Sequence, residues 1–105
     1  DVRVGGGPVL VNNPSCHRKL QRLLRQAAEK QGIAVQTEAA TGRTGTDGDV
    51  IHKTGEGVPF SLVSIPLRYM HSPAEVGSLA DIQGCIDLLA QFLADLDPSL
   101  DLTWY

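Results

Sequence analysis

The sequence lacks three features that would place it in a specialised class of protein. It has only two cysteines, Cys16 and Cys85, too few for a disulfide-based scaffold. It has no run of about 18 apolar residues that could span a membrane. Its 9 lysines and arginines are outnumbered by 12 acidic residues, for a net charge of −3, which argues against nucleic-acid binding. The opening DVRVGGG also lacks the basic-then-apolar order of a signal peptide.

The two cysteines favour a reducing environment. Both lie in segments that the apolar pattern predicts to be helical, where a thiol behaves as a small buried hydrophobe. Two free, buried thiols in the cytoplasm are therefore the preferred interpretation. A single disulfide between them stays open as the alternative.

The composition is that of an ordinary globular domain. The chain has 105 residues, of which 42% are apolar and 20% charged. A chain of this length buries about 65% of its extended surface on folding, enough for a modest core. We therefore expect residues 1–105 to form a single domain.

Strand and helix patterns alternate along the chain. Strands are predicted over residues 8–12, 33–39 and 58–66, the last as a continuous apolar run covered on both faces. Asn13 and Pro14 predict the start of a first helix, and Gly32 its end. A short helix is predicted over residues 47–54. The last helix starts at Ser78 with Asp81 in a capping box, and Pro98 ends it.

This β-α-β-α-β-α order predicts an α/β domain with a mixed or partly parallel sheet and flanking helices. Ligands of such sheets collect where the carboxyl ends of the strands meet. The segments that follow the second and third strands, TGRTGTDGD and RYMHSP, are both predicted to lie at that edge. The last helix is expected to face the core through an inner stripe: Ile82, Cys85, Ile86, Leu89, Phe92 or Leu93, and Leu96.

Two basic or glycine-rich motifs favour structural roles. In VGGGP the glycines precede an apolar strand rather than a helix, so a turn is preferred over a phosphate cradle. The first helix carries a basic face, which we interpret as solvated rather than as an anion site because the whole chain is acidic. Its members are Arg18, Lys19, Arg22 and Arg25.

Two histidines are candidate metal ligands. His52 lies three residues after Asp49, and with Asp47 this spacing could hold a metal on one helix face. Carboxylates in a first helical turn also stabilise the helix dipole, and that interpretation is preferred. His71 follows the third strand, beside Arg68 and Pro73, where an imidazole could hold a divalent ion. One histidine is only part of a site, since zinc takes three or four protein ligands.

The segment from residue 44 to residue 93 resembles the carboxyl-terminal part of the glutamyl aminopeptidase and cellulase-like (endoglucanase-like) family of dinuclear metallo-aminopeptidases, which includes the tetrahedral (TET) peptidases. The motifs GGGPVL, GTD, GVP, SIP and RYMHSP and the leucine-rich last helix occur in the family's order. The resemblance implies that the chain is a fragment of a phosphorylase/hydrolase-like zinc-peptidase catalytic domain. It departs from many relatives at Gly48 and Asp49, which leaves substrate preference open.

The resemblance also implies a function and a set of site residues. The parent enzyme would be a cytoplasmic, homo-oligomeric hydrolase that removes amino-terminal residues from peptides with two divalent metal ions, zinc or cobalt. His71 would be a metal ligand, and Gly45, Thr46 and Asp47 would lie beside the substrate. The general base and the other metal ligands would come from sequence outside these residues, so no catalytic residue is assigned here. The isolated chain is expected to be inactive and to bind no metal stably; the alternative is a non-catalytic assembly or ligand-binding module.

Overall fold

The computed structural model describes residues 2–39, 53, 58–68, 76–100 and 102. Within these residues, five strands and two helices follow in the order β1 (Val9–Asn12), α1 (Arg18–Gln31), β2 (Gln36–Ala39), β3 (Val63–Ser64), β4 (Leu67–Arg68), β5 (Val76–Gly77) and α2 (Leu79–Ala94). The predicted mixed α/β fold is confirmed. The predicted helix over residues 47–54 lies outside the described residues, apart from residue 53.

The main sheet has the order β2-β1-β3 and contains both strand directions. β1 and β2 are parallel, with Val9 opposite Gln36 and Asn12 opposite Ala39. β3 is antiparallel to β1, with Val9 opposite Ser64. β4 and β5 form a separate antiparallel pair, which the sequence patterns did not predict. The long third strand predicted over residues 58–66 is wrong in extent, because only two of its residues pair with β1.

α1 begins later than predicted because Asn13 and Pro14 form a turn instead of a helix cap. The Asn13 side-chain oxygen accepts a hydrogen bond from Ser15 N at 2.8 Å, and its carbonyl accepts one from Cys16 N at 2.9 Å. His17 is the actual N-cap, and its Nδ1 accepts from Lys19 N at 3.2 Å. The predicted end at Gly32 is confirmed: its φ of 66° is left-handed, a conformation that glycine adopts without a side-chain penalty.

The core joins β1 to both helices. Its buried members are Leu10 of β1, Leu24, Ala27 and Ala28 of α1, and Leu88 of α2, with Ile33, Val35, Val63 and Phe92 packed around them. Cys16 and Cys85 are buried and form no disulfide, which confirms the thiol interpretation, although Cys16 precedes α1 instead of lying in it. None of the described helices is long and apolar enough to cross a membrane.

The predicted inner stripe of α2 is wrong for most of its members. Asp81, Cys85 and Leu88 are the buried residues of the helix, and Phe92 packs against the core. The other predicted stripe residues are exposed by 37% to 63%; they are Ile82, Ile86, Leu89, Leu93 and Leu96. The helix has two apolar stripes, and the one that includes a buried carboxylate faces the core.

Candidate functional site

The predicted site residues lie outside the described residues. This applies to His71, to Gly45, Thr46 and Asp47, and to the alternative ligands Asp49 and His52. Their metal-binding and substrate-binding roles therefore stay predictions. The structure does describe strands next to both segments: β2 ends at Ala39, before the first segment, and β4 and β5 flank residues 69–75.

The two predicted segments do not leave the main sheet at the same edge. β1 and β2 are parallel, so Asn12 and Ala39 both mark its carboxyl edge, where the chain continues toward Gly45. β3 runs antiparallel, so the chain leaves it beside Val9, at the edge where β1 begins. From there the chain continues through β4 toward His71. The parallel direction assumed for the third strand is wrong, because an apolar run does not reveal the direction in which its strand pairs. Where the two segments themselves lie stays a prediction, since they fall outside the described residues.

A buried carboxylate organises this amino edge. Asp81, in the first turn of α2, is only 1% exposed. Its two carboxylate oxygens accept hydrogen bonds from Gly5 N at 2.7 Å and Gly7 N at 2.9 Å. A buried carboxylate is costly unless hydrogen bonds satisfy it, and these two amides do so. Asp81 therefore fixes the glycine loop to α2 next to the exit of β3.

The glycine loop is the turn that the sequence predicted, and its geometry requires glycine. Gly6 N donates to Arg3 O at 3.2 Å, closing the turn. Gly5 and Gly7 have φ angles of 88° and 96°, which side chains disfavour. A Cβ at Gly7 would also overlap the carbonyl oxygen of Ala34. The loop therefore packs backbone against backbone, and its amides bind Asp81 instead of an external anion.

Sequence reasoning missed the role of Asp81 because the residue also fits a capping box. Ser78 is the N-cap of α2, as predicted, but its side chain makes no capping hydrogen bond. The available signal was spacing: Asp81, Cys85 and Leu88 lie on one helical face. An acidic residue on an apolar face indicates a specific buried partner.

Cys85 lies one turn after Asp81 on the same buried face. Its Sγ lies 3.9 Å from the carbonyl oxygen of Ser64 in β3. Burial, and secondarily the neighbouring charge of Asp81, raise the pKa of the Cys85 thiol. Cys85 is therefore a protonated packing residue at neutral pH rather than a nucleophile.

The described residues do not assemble a metal centre by themselves. Within residues 2–39, 53, 58–68, 76–100 and 102, no three His, Cys, Asp or Glu side chains converge in a way that could hold an ion. The basic face of α1 is exposed or half-buried, as a solvated face would be. On this helix Arg25 donates to the Thr37 hydroxyl at 2.8 Å, and Lys30 pairs with Asp95 at 3.1 Å.

Comparisons with known proteins agree with this fold. Residues 1–88 match the model of the M42 glutamyl aminopeptidase family. A lysyl aminopeptidase of Pyrococcus furiosus is 37% identical over 100 residues. The crystal structure of a TET aminopeptidase from a marine sediment Thaumarchaeota archaeon superposes with a TM-score of 0.84 at 30% identity. The dodecameric PhTET1-12s superposes with a TM-score of 0.72 at 33% identity.

These relatives are much longer than the chain. The matched region covers 95% of this chain but 29% of the Pyrococcus enzyme. The match to the TET aminopeptidase covers 92% of this chain and 28% of that protein. The match to PhTET1-12s covers 91% of this chain and 29% of that protein. The chain thus spans less than a third of the length of these proteins. Since the family model matches most of its residues, the chain belongs to the M42 glutamyl aminopeptidase family.

Proposed function

We propose that residues 1–105 form the carboxyl-terminal portion of the catalytic domain of a metal-dependent aminopeptidase, which hydrolyses amino-terminal residues from peptides. The observation that carries the proposal is the family match over residues 1–88, which spans both the GTD and RYMHSP motifs. The lysyl aminopeptidase and the TET aminopeptidase support the same reaction class. As in those proteins, most of the enzyme would lie outside the matched region.

In this proposal His71 holds one of two divalent metal ions, zinc or cobalt, and Gly45, Thr46 and Asp47 line the substrate site. The metals, when bound, would lower the pKa of a bridging water and polarise the scissile carbonyl. The described residues contribute by holding the neighbouring segments in place. Asp81 fixes the glycine loop, and β4 and β5 fix the two ends of the segment that carries His71.

The proposal also covers the cellular compartment and the oligomeric state of the enzyme. Two buried thiols that form no disulfide favour the cytoplasm, where thiols stay reduced. The dodecameric relative supports a homo-oligomer. The 105 residues alone are expected to have no peptidase activity, because the general base and the remaining metal ligands would come from other sequence.

Calorimetry with zinc and cobalt tests the assignment of His71. The unmodified chain, His71→Ala and His52→Ala are compared, and peptidase activity is assayed on the same samples. We expect weak binding that His71→Ala abolishes and His52→Ala leaves intact, with no turnover in any sample. Because a single imidazole is a poor zinc site, the binding should be far from stoichiometric at micromolar concentrations.

Other outcomes would contradict the proposal in different ways. Loss of binding in His52→Ala alone would move the site to the Asp47, Asp49 and His52 cluster. Tight, stoichiometric binding with turnover would mean that the chain completes a catalytic site without further sequence. Metal binding that neither substitution changes would favour a non-catalytic assembly or ligand-binding module.

A further inference from the structure

Three arginines lie along one side of α1. We call them the arginine stripe; its members are Arg18, Arg22 and Arg25. Their spacing of four and three residues places them within about 60° of one another around the helix and spreads them over about 10 Å of its length. Arg18 and Arg22 are exposed, and Arg25 is half-buried. The core side of the same helix carries the buried residues Leu24, Ala27 and Ala28 instead.

The arginine stripe opposes two rules that stabilise helices. Arg18 lies in the first turn of α1, where cations meet the positive end of the helix dipole, and that turn holds no acidic residue. Like charges three or four residues apart on a helix also repel each other, as Arg18, Arg22 and Arg25 do. The stability of α1 therefore does not account for the stripe, and the stripe indicates an anionic partner outside the helix.

The carboxylates of the described residues do not supply that partner. Of the six acidic residues in the described part of the chain, four accept hydrogen bonds from other groups; they are Asp81, Asp87, Asp95 and Asp97. Glu29 follows the stripe by one turn but forms no ion pair with it. Glu38 lies in β2 next to Thr37, and successive side chains of a strand point to opposite faces of the sheet.

Arg25 connects the arginine stripe to an exposed edge of the sheet. Its guanidinium donates to the Thr37 hydroxyl at 2.8 Å, which orients the side chain and leaves most of its five N–H donors available. Thr37 belongs to β2, whose last three residues are exposed. Within the described residues β2 pairs only with β1, so its other edge presents unpaired backbone groups. We call this the free edge of β2.

The chemistry of this surface favours an extended acidic peptide over a nucleic acid. The planar guanidinium binds a carboxylate through two parallel hydrogen bonds. About three extended residues cover the length of the stripe at 3.3 Å per residue, and a free strand edge adds main-chain hydrogen bonds to such a segment. A nucleic acid is disfavoured because the chain has a net charge of −3 and because neither α1 nor β2 contains an aromatic residue on which a base could stack.

We propose that an extended peptide segment rich in glutamate or aspartate binds along the free edge of β2, with its carboxylates on the arginine stripe. This assigns a ligand to the helix face that its sequence pattern alone indicated to be solvated. The contacts are exposed, so binding should be weak and should weaken further as the salt concentration rises. The inference rests on α1 and β2 and is independent of the proposed enzymatic function.

Fluorescence anisotropy at about 10 mM and about 150 mM salt tests the binding, because the two conditions screen exposed charges to very different extents. The probe is a labelled hexapeptide of alternating glutamate and threonine, and its control has glutamine in place of glutamate. The acidic peptide should bind, more weakly at the higher salt, and the control should not. Absence of binding, or equal binding of both peptides, would overturn the proposal. Tighter binding of a labelled single-stranded DNA with the same number of charges would overturn it in favour of a nucleic acid.

Arg22→Gln and Lys30→Gln remove one positive charge each from the same helix. Arg22 lies in the middle of the stripe, whereas Lys30 pairs with Asp95 of α2. Arg22→Gln should raise the dissociation constant of the acidic peptide about threefold to fivefold, the effect of losing one exposed ion pair, and Lys30→Gln should leave it unchanged. Equal effects of the two would show attraction by net charge alone and would overturn the proposal.

Urea unfolding separates binding by the stripe from a structural role. Because Arg22→Gln relieves repulsion within the stripe and glutamine suits a helix as well as arginine does, the free energy of unfolding should not fall. Weaker peptide binding together with a matching loss of stability would mean that Arg22 supports the fold, and that result would contradict the proposal.

N-methylation of the acidic peptide tests its pairing with β2. In an extended chain the N–H groups of the glutamates point to one side and those of the threonines to the other. One peptide is methylated at its glutamate nitrogens and a second at its threonine nitrogens. One of the two should lose affinity severalfold and the other should bind like the parent peptide. Equal affinities would overturn the placement of the peptide along the free edge of β2.

Discussion

Asp81 connects the start of α2 to the glycine loop before β1, and its substitution should destabilise the fold. Asp81→Asn keeps the shape but replaces one acceptor oxygen with a donor, which would face Gly5 N or Gly7 N. An unsatisfied buried amide costs about 1–3 kcal/mol in the free energy of unfolding. Urea unfolding, followed by circular dichroism, measures this loss.

Asp87→Asn is the matched control for Asp81→Asn. Asp87 lies on the same helix, is exposed, and accepts one hydrogen bond from Gln83 at 2.9 Å. Its substitution should change the free energy of unfolding by no more than about 0.5 kcal/mol. Equal losses for the two variants would show that the bonds from Gly5 and Gly7 contribute no more than a surface contact.

Cys85 gives the stability of the chain a dependence on alkaline pH. Burial, and then the charge of Asp81, raise the pKa of its thiol in the folded state. The folded chain therefore keeps this proton over a pH range in which the unfolded chain has lost it. The resulting stabilisation is complete below the usual thiol pKa of about 8.5 and declines as the pH rises above it.

Unfolding of the unmodified chain and of Cys85→Ala between pH 7 and pH 10 tests this dependence. The unmodified chain should lose more stability over this range than the variant, because only it has the shifted thiol. Every other titrating group is common to both proteins and cancels in the comparison. Parallel curves would mean that Cys85 ionises in the folded chain as readily as in the unfolded one.

At the scale of elements, the sequence predicts the strands and helix ends that depend only on residues close together in the chain. β1 and β2 were predicted within a few residues, since apolar patterning is itself local. Gly32 ends α1 as predicted, because only a residue tolerant of left-handed φ fits there. The start of α1 was misplaced, since an Asn-Pro pair suits a turn as well as a helix cap.

Features that depend on tertiary contacts could not be predicted in this way. The predicted inner stripe of α2 mixes residues of two apolar faces, and only the face that contains Asp81, Cys85 and Leu88 is buried. This face packs on the core because Asp81 finds two amides in a loop 74 and 76 residues away. The direction of β3 likewise depends on its pairing with β1, and that direction determines the edge from which the chain leads to His71.

The candidate site also has one part that the sequence indicated and another that only the structure shows. His71 and the GTD motif came from a resemblance, because the types and spacing of these residues alone left several roles open. The hydrogen bonds from Gly5 and Gly7 to Asp81, which fix the edge of the sheet where β1 begins, are seen only in the structure. Asp81 and the glycine loop carry no motif for catalysis, yet they fix the edge at which β3 exits.

At the scale of the whole molecule, one small core makes the sheet and both helices interdependent. Leu88 is 0% exposed and belongs to the same buried cluster as Leu10 of β1 and Leu24 of α1. Leu88→Ala should lower the free energy of unfolding by about 2–5 kcal/mol, because it leaves a cavity between three elements. That loss is large against a typical total stability of about 5–15 kcal/mol.

Leu93→Ala makes the same chemical change on the exposed face of the same helix. Leu93 is 63% exposed, so its loss should change stability little. Thermal and urea unfolding of both variants distinguish the two faces of α2 directly. If Leu93→Ala lowered the free energy of unfolding as much as Leu88→Ala, the face of α2 that contains Leu93 would contribute to the core as much as the buried face does.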